Sequence, residues 1–274
     1  MEYSREYIAT LIIDKLNQHK VRLKEQYFKS NNQIGYFYLD NLLPEELVKK
    51  IYEKFPTSNE SILKKNLREY KYVAYQMDAY DPILEEVVYA FQDERVVKLI
   101  QEICELKSVL PDKHLYAGGL SIMRKNNFLN PHLDNSHDKD RKRKRALNLL
   151  YYVTPNWEES YGGDLEIWPD GLKKNPITIS SKFNRLVVMA THQKSWHSVN
   201  KVLHDGIRCC VSNYYFSDDN HETQEFHVTS FRGRPSQKFR NVVLKIDTLL
   251  RTNIRKIFKK GIIENAHKYR KNKN

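Results

Sequence analysis

The sequence predicts an α+β protein: a jelly-roll core with N-terminal helices and a basic C-terminal helix. Three observations lead there. Apolar stripes at helical spacing dominate the first 110 residues. Between His114 and Ser217 they give way to short runs rich in β-branched and aromatic residues, separated by turn signals. From Ser236 to Phe258 the helical period returns.

The elements follow in order. Over residues 5–30, Ile8, Leu11, Ile12, Leu16 and Leu23 fall mostly on one helical face. Gln33–Leu42 is short and aromatic, as a strand would be. A helix starts near Pro44, because proline suits the first turn and Glu45 and Glu46 suit the positive end of the helix dipole. Leu47, Val48, Ile51 and Phe55 form its stripe, and Pro56 stops it. Two further helices fit 82–92 and 94–106. The strand-like runs are Gly119–Arg124, Ala146–Val153, Asp164–Trp168, Pro176–Ser180, Arg185–Thr191 and Arg208–Phe216. Many short antiparallel strands with long connections indicate a jelly roll or related barrel. We divide the chain into an N-terminal helical region (1–110), a core (111–218) and a basic helical extension (219–274).

Composition narrows the class. The chain has 274 residues, 40% hydrophobic and 29% charged, an ordinary globular balance with 18 Tyr and 11 Phe for a sheet-rich core. No apolar run approaches the roughly 20 residues that span a bilayer. The N-terminus lacks a basic start followed by an apolar stretch, so no secretory signal is expected. Cys104, Cys209 and Cys210 form a poor disulfide framework, which predicts a reduced, cytoplasmic protein. The net charge of +12 resides in residues 232–274, where 14 Lys or Arg meet two acids. That tail either packs its apolar stripe on the barrel or binds an anionic partner, and nothing in it resembles a specific nucleic-acid module. Asp138–Arg145 is a second charged stretch, either a solvated loop or a basic rim for an anionic substrate.

The chemistry concentrates in His132-Leu133-Asp134. In extended chain, residues i and i+2 point the same way, so imidazole and carboxylate can share one metal. His197, just beyond a strand-like run, can supply the third ligand. Two imidazoles and one carboxylate on one face of an octahedral ion leave three adjacent positions open, the facial triad of non-haem Fe(II) oxygenases. Arg208 follows eleven residues later. A guanidinium cannot lose its charge and meets a carboxylate with two parallel hydrogen bonds, which suits it to the distal carboxylate of 2-oxoglutarate.

These residues, with Asn148-Leu149-Leu150-Tyr151-Tyr152, Gly162-Gly163-Asp164 and Asn184-Arg185-Leu186, make the sequence resemble the prolyl-4-hydroxylase-like branch of the Fe(II)/2-oxoglutarate dioxygenases. The resemblance covers roughly 114–218 well and 35–110 more loosely. It implies a double-stranded β-helix and a metal site of His132, Asp134 and His197. It further implies that Arg208, Tyr152 and Asn148 hold the cosubstrate. Asn135, His137 and Trp196 are candidate substrate contacts. The implied cofactors are Fe(II), 2-oxoglutarate and O2, with ascorbate a candidate reductant. The implied reaction is hydroxylation of a small molecule, a sugar or a protein prolyl side chain, with release of succinate and CO2. Asp134 keeps the carboxylate that related halogenases lack. Tyr214 stands where AlkB-like demethylases carry a second arginine, and the anchor is Arg rather than the Lys of JmjC-type demethylases. The competing expectation is a catalytically silent jelly-roll module that binds nucleic acid or another anionic partner through its tail.

Overall fold

The computed structural model describes residues 3–218, 227–257, 269 and 271. Helix α1 (Arg5–Gln18) starts at Ser4, whose hydroxyl accepts the amide of Tyr7. The single helix expected over 5–30 breaks at His19 and resumes as α2 (Lys20–Ser30). α1 packs on α4 (Pro82–Ala90) and α5 (Glu94–Cys104), while α2 packs on α5 and on strand β1 (Tyr36–Asp40). α3 (Glu45–Glu53) begins one residue after Pro44, which caps it. Asp81 and Asp93 cap α4 and α5 by accepting the amides of Ile83 and Arg95.

Two strands not expected from the sequence, β2 (Ile62–Lys65) and β3 (Glu69–Ala74), lie between α3 and α4. The rest of the sheet is β4 (Leu110–Pro111), β5 (Gly119–Met123), β6 (Phe128–Leu133), β7 (Lys144–Tyr152), β8 (Leu165–Ile167), β9 (Ile177–Ile179), β10 (Arg185–Ala190), β11 (His197–Val199), β12 (Arg208–Ser217) and β13 (Ser230–Phe231). All pairings are antiparallel, in the order β1-β10-β7-β12-β5-β3-β6-β11-β8-β9. β3 joins the two halves of this curled sheet. Tyr72–Ala74 pair with β5, and Glu69 and Tyr70 pair with β6.

Side-chain alternation separates outside from inside. Leu147, Leu149 and Tyr151 of β7, Leu186 and Val188 of β10, and Val211 and Tyr215 of β12 point outward. There they merge with Ile8, Ile12 and Leu16 of α1 and the buried faces of α4 and α5. The alternate residues Tyr152, Val187, Met189 and Cys210 point into the curl, against Leu165 and Ile167 of β8. The helices therefore cover one face of the sheet and leave the concave face for a site.

α6 (Lys238–Ile257) confirms the C-terminal helix but overturns one of the two packings expected for it. Its apolar stripe does not lie on the barrel: Phe239, Val242, Ile246, Leu249 and Leu250 are exposed. Leu244, Thr248, Asp247 and Arg251 face inward instead, because Asp247 ion-pairs with Arg68 after β2 and Arg251 donates to the Thr229 carbonyl. Phe258 and the rest of the tail lie outside the described residues, except 269 and 271. No helix among the described residues is long and apolar enough to cross a membrane.

Candidate metal centre

The centre is assembled by strand register. His197, first residue of β11, is the direct cross-strand partner of His132 in β6, and their ring centroids lie 4.1 Å apart. Asp134 follows the end of β6 on the same side as His132. Ligand atoms of His132, Asp134 and His197 all lie within 4.8 Å of one another. Each imidazole is oriented from behind. The Nδ1–H of His132 donates to the Asn130 carbonyl at 3.0 Å, and that of His197 to the Ser195 carbonyl at 2.9 Å. Both Nε2 lone pairs are left facing Asp134, whose oxygens lie 3.5 and 3.6 Å away. Imidazole held by a backbone carbonyl and presenting Nε2 is the usual arrangement of a metal-ligating histidine.

The electrostatics suit a divalent cation. Burial works against the charged form of Asp134, but Arg145, His197 and His132 outweigh it and hold the carboxyl well below the usual range. Burial, aided by the neighbouring His132, lowers His197 to about 4, so its imidazole is neutral and able to ligate at physiological pH. Asp134 Oδ2 is buried without a hydrogen-bond partner. Arg145 Nη1 is 3.3 Å away, within ion-pair range but not in hydrogen-bond geometry. Two imidazoles that present Nε2 and an unsatisfied carboxylate oxygen fit a bound cation.

Behind the triad, Arg208 opens β12 and is almost fully buried. Its Nη1 meets only the Met123 sulfur at 3.6 Å, its Nε has no partner, and no carboxylate of the described residues lies within ion-pair distance. Asn148 Oδ1 and the Tyr152 hydroxyl are likewise buried and unpartnered. Tyr152 lies directly under Arg208, 4.6 Å from ring centroid to guanidinium carbon. The Gly162-Gly163 pair makes room for this. Both residues have positive φ, and a Cβ at Gly163 would meet Val202 at 3.0 Å and the Arg208 stem at 3.4 Å. A buried guanidinium, an amide oxygen and a phenol without partners fit a dicarboxylate.

Triad and arginine share one open cavity of about 790 Å³. His132, Asp134, His197, Arg208, Asn148, Asn135 and His137 all line it. Trp196 does not; it lies under the Arg232 guanidinium, 5.4 Å from ring centroid to guanidinium carbon. Tyr152 stays behind Arg208.

Sequence reasoning missed several contributors. Arg145 belongs to the charged run 138–145, yet it is buried beside Asp134 and 4.1 Å over the Tyr214 ring. Plain alternation along β7 would turn it away from Asn148. A bulge prevents that: Tyr215 of β12 pairs with Leu147, but Phe216 pairs with Arg145, so Ala146 is the extra residue and Arg145 faces inward. Phe231 of β13 stacks on His132 with centroids 5.0 Å apart, and the His227 ring reaches the Asp134 carbonyl at 2.9 Å. Lys64, Arg68, Glu69, Lys71 and Arg251 also line the cavity. The strand carrying His197 is fixed by a polar chain. The Trp168 indole donates to Ser198, Ser198 donates to Glu166, and Arg234 ion-pairs with Glu166 at 2.7 Å.

A curled antiparallel sheet carrying two histidines and one aspartate on its concave face, with a buried arginine behind them, defines a jelly-roll protein with a candidate metal site. Residues 118–216 match the family model of the 2OG-Fe(II) oxygenase superfamily. No curated protein matches the chain. Among solved structures, the chain is similar to a prolyl hydroxylase from Trichoplax adhaerens in complex with a hypoxia-inducible factor oxygen degradation domain peptide. That match has a TM-score of 0.53 and 19% identity over 76% of this chain and 95% of that one. It is also similar to a prolyl-4-hydroxylase from Pseudomonas putida, with a TM-score of 0.53 and 13% identity over 71% and 98% of the two chains. A prolyl 4-hydroxylase from Phytophthora capsici matches with a TM-score of 0.51 and 13% identity over 92% and 78%. The family model and these structural neighbours are 2-oxoglutarate-dependent oxygenases and hydroxylases, as the resemblance read from the sequence implied.

Proposed function

We propose that the protein is a Fe(II)- and 2-oxoglutarate-dependent hydroxylase. The observation that carries this reading is the convergence of His132, Asp134 and His197, with unpartnered Arg208 deeper in the same cavity. His132, Asp134 and His197 would hold Fe(II). Bound iron and 2-oxoglutarate would supply the oxidising chemistry, consuming O2 and yielding succinate, CO2 and a hydroxylated substrate, with ascorbate as a candidate reductant.

The chain's own part is positioning. Arg208 receives the distal carboxylate of the cosubstrate in a bidentate contact, with the Tyr152 hydroxyl and Asn148 beside it. Arg145 keeps Asp134 ionised. The apolar residues around Tyr152 and Cys210 exclude water from the buried end of the cavity. The open end leaves space for a prime substrate against Asn135 and His137. We propose a small molecule or sugar as that substrate; a protein prolyl side chain is the other class, carried over from the structural neighbours. The domain boundaries at 110 and 218, and a cytoplasmic location consistent with three buried free thiols, belong to the same proposal.

The test is succinate formation from 2-oxoglutarate with Fe(II) and no prime substrate. Slow turnover is expected from the native chain, falling at least about a hundredfold in H132A and H197A. A chain that forms no succinate, and whose metal and 2-oxoglutarate affinities do not respond to those substitutions, is a silent binding module instead.

A further inference from the structure

α6 is mounted with its faces reversed. At 100° per residue, Leu244 and Thr248 lie within one narrow arc, and Ile246 lies on the opposite side of the helix. The inner arc is mostly polar and fully engaged. Asp247 pairs with Arg68 and Arg251, Thr248 receives a hydrogen bond from Arg232, and Asn241 accepts the Gly233 amide. The outer arc is apolar: Phe239 is 84% exposed, Val242 55%, Ile246 53%, Leu249 64% and Leu250 59%. Lys238 and Lys245, both exposed, border it on one side. Five large apolar side chains forming one contiguous exposed stripe are unusual for a surface that meets only water.

We propose that this face of α6 docks on an anionic lipid surface, with the five apolar side chains at the acyl boundary and the lysines among the headgroups. A helix with one apolar face, a basic border and too many charges to cross a bilayer is built to lie in the plane of a membrane. Charge selects lipid over a second copy of the chain. Within α6 six Lys or Arg stand against one acid, Asp247, so pairing two such helices would set like charges against each other, whereas anionic headgroups complement them. The docking does not depend on the reaction proposed above. It has a consequence for it: Arg251 and Ile254 of the same helix line the cavity, so a membrane under α6 would lie beside it.

The experiment is co-sedimentation of the full chain with vesicles of phosphatidylcholine alone or with about a third phosphatidylserine. Binding to the anionic vesicles is expected, at least tenfold weaker on phosphatidylcholine and weakened as salt rises from about 0.05 to 0.5 M. I246E/L249E should lose at least tenfold in partitioning, and K238E/K245E should lose the preference for anionic vesicles. Because such changes can disturb folding, F239W provides a second readout: its added indole emission should shift to the blue with anionic vesicles only. Circular-dichroism melts should match the native chain in every variant. Absence of native binding to anionic vesicles overturns the proposal, as does equal binding by I246E/L249E. So does a mass doubling in light scattering that is lost in I246E/L249E without vesicle binding, which would assign the face to a second copy. Nucleic-acid binding without vesicle binding overturns it equally.

Discussion

Replacing Arg208 with methionine should separate folding from function. In the ligand-free protein the guanidinium is buried against the Met123 sulfur and the Tyr152 ring, with its Nε unsatisfied and no carboxylate of the described residues in ion-pair range. A buried charge without a partner costs several kcal/mol, and an apolar residue of similar length removes that cost. The metal-free R208M chain should therefore be as stable as the native one or more stable, by up to about 2 kcal/mol. The same change removes two charge-assisted hydrogen bonds to the proposed cosubstrate, each worth about 1.5–3 kcal/mol. Affinity for 2-oxoglutarate should fall by at least about a hundredfold, since about 1.4 kcal/mol is a factor of ten. R208K keeps a point charge without the planar fork, so an intermediate loss is expected. Calorimetric titration of 2-oxoglutarate into protein loaded with a redox-inert divalent metal measures the affinity, and urea unfolding of the metal-free chain measures the stability. If R208M binds 2-oxoglutarate within threefold of the native protein, the cosubstrate carboxylate is held elsewhere. A destabilisation beyond about 2 kcal/mol would show that Arg208 is a structural cation.

Three further outcomes follow from the geometry. His197 is lowered by burial from 6.5 to about 4, so between those values the unfolded chain takes up a proton that the folded chain refuses. Stability of the metal-free protein should thus fall as pH drops through that window, by up to about 3 kcal/mol, with half-buried His192 and His227 acting in the same direction. Urea midpoints that stay level from pH 7 to pH 4.5 would contradict this. Arg234→Leu leaves the Glu166 carboxylate without its cation beneath the His197 strand, so it should cost about 2–4 kcal/mol in stability and roughly tenfold in metal affinity. Metal titration of the folded variant checks the second effect. Gly119→Ala should destabilise by at least about 2 kcal/mol, because φ is +120° there and the new Cβ would sit 2.5 Å from the Ala74 carbonyl oxygen; thermal melts read it.

Features that depend on local backbone geometry are legible in the residue pattern alone. Period-two alternation places Asn148 with Leu150, and Arg208 with Cys210 and Ser212, on common faces, and in the structure all five line the cavity. Spacing of two brings His132 and Asp134 to one side of extended chain, and apolar stripes locate α4 and α5. Tertiary pairing decided the rest. His197 meets His132 because β11 pairs with β6 in that register, which no local pattern encodes. Arg145 turns inward because strand β12 imposes a bulge at Ala146, reversing the alternation that sequence alone predicts. β3 becomes the hinge of the sheet through partners on both sides. The stripe of α6 predicts a helix but not which face it buries. The Arg68–Asp247 ion pair and the hydrogen bond from Arg251 to the Thr229 carbonyl turn its polar side inward, since Arg68 and Thr229 lie on other segments that only the folded chain brings to the helix.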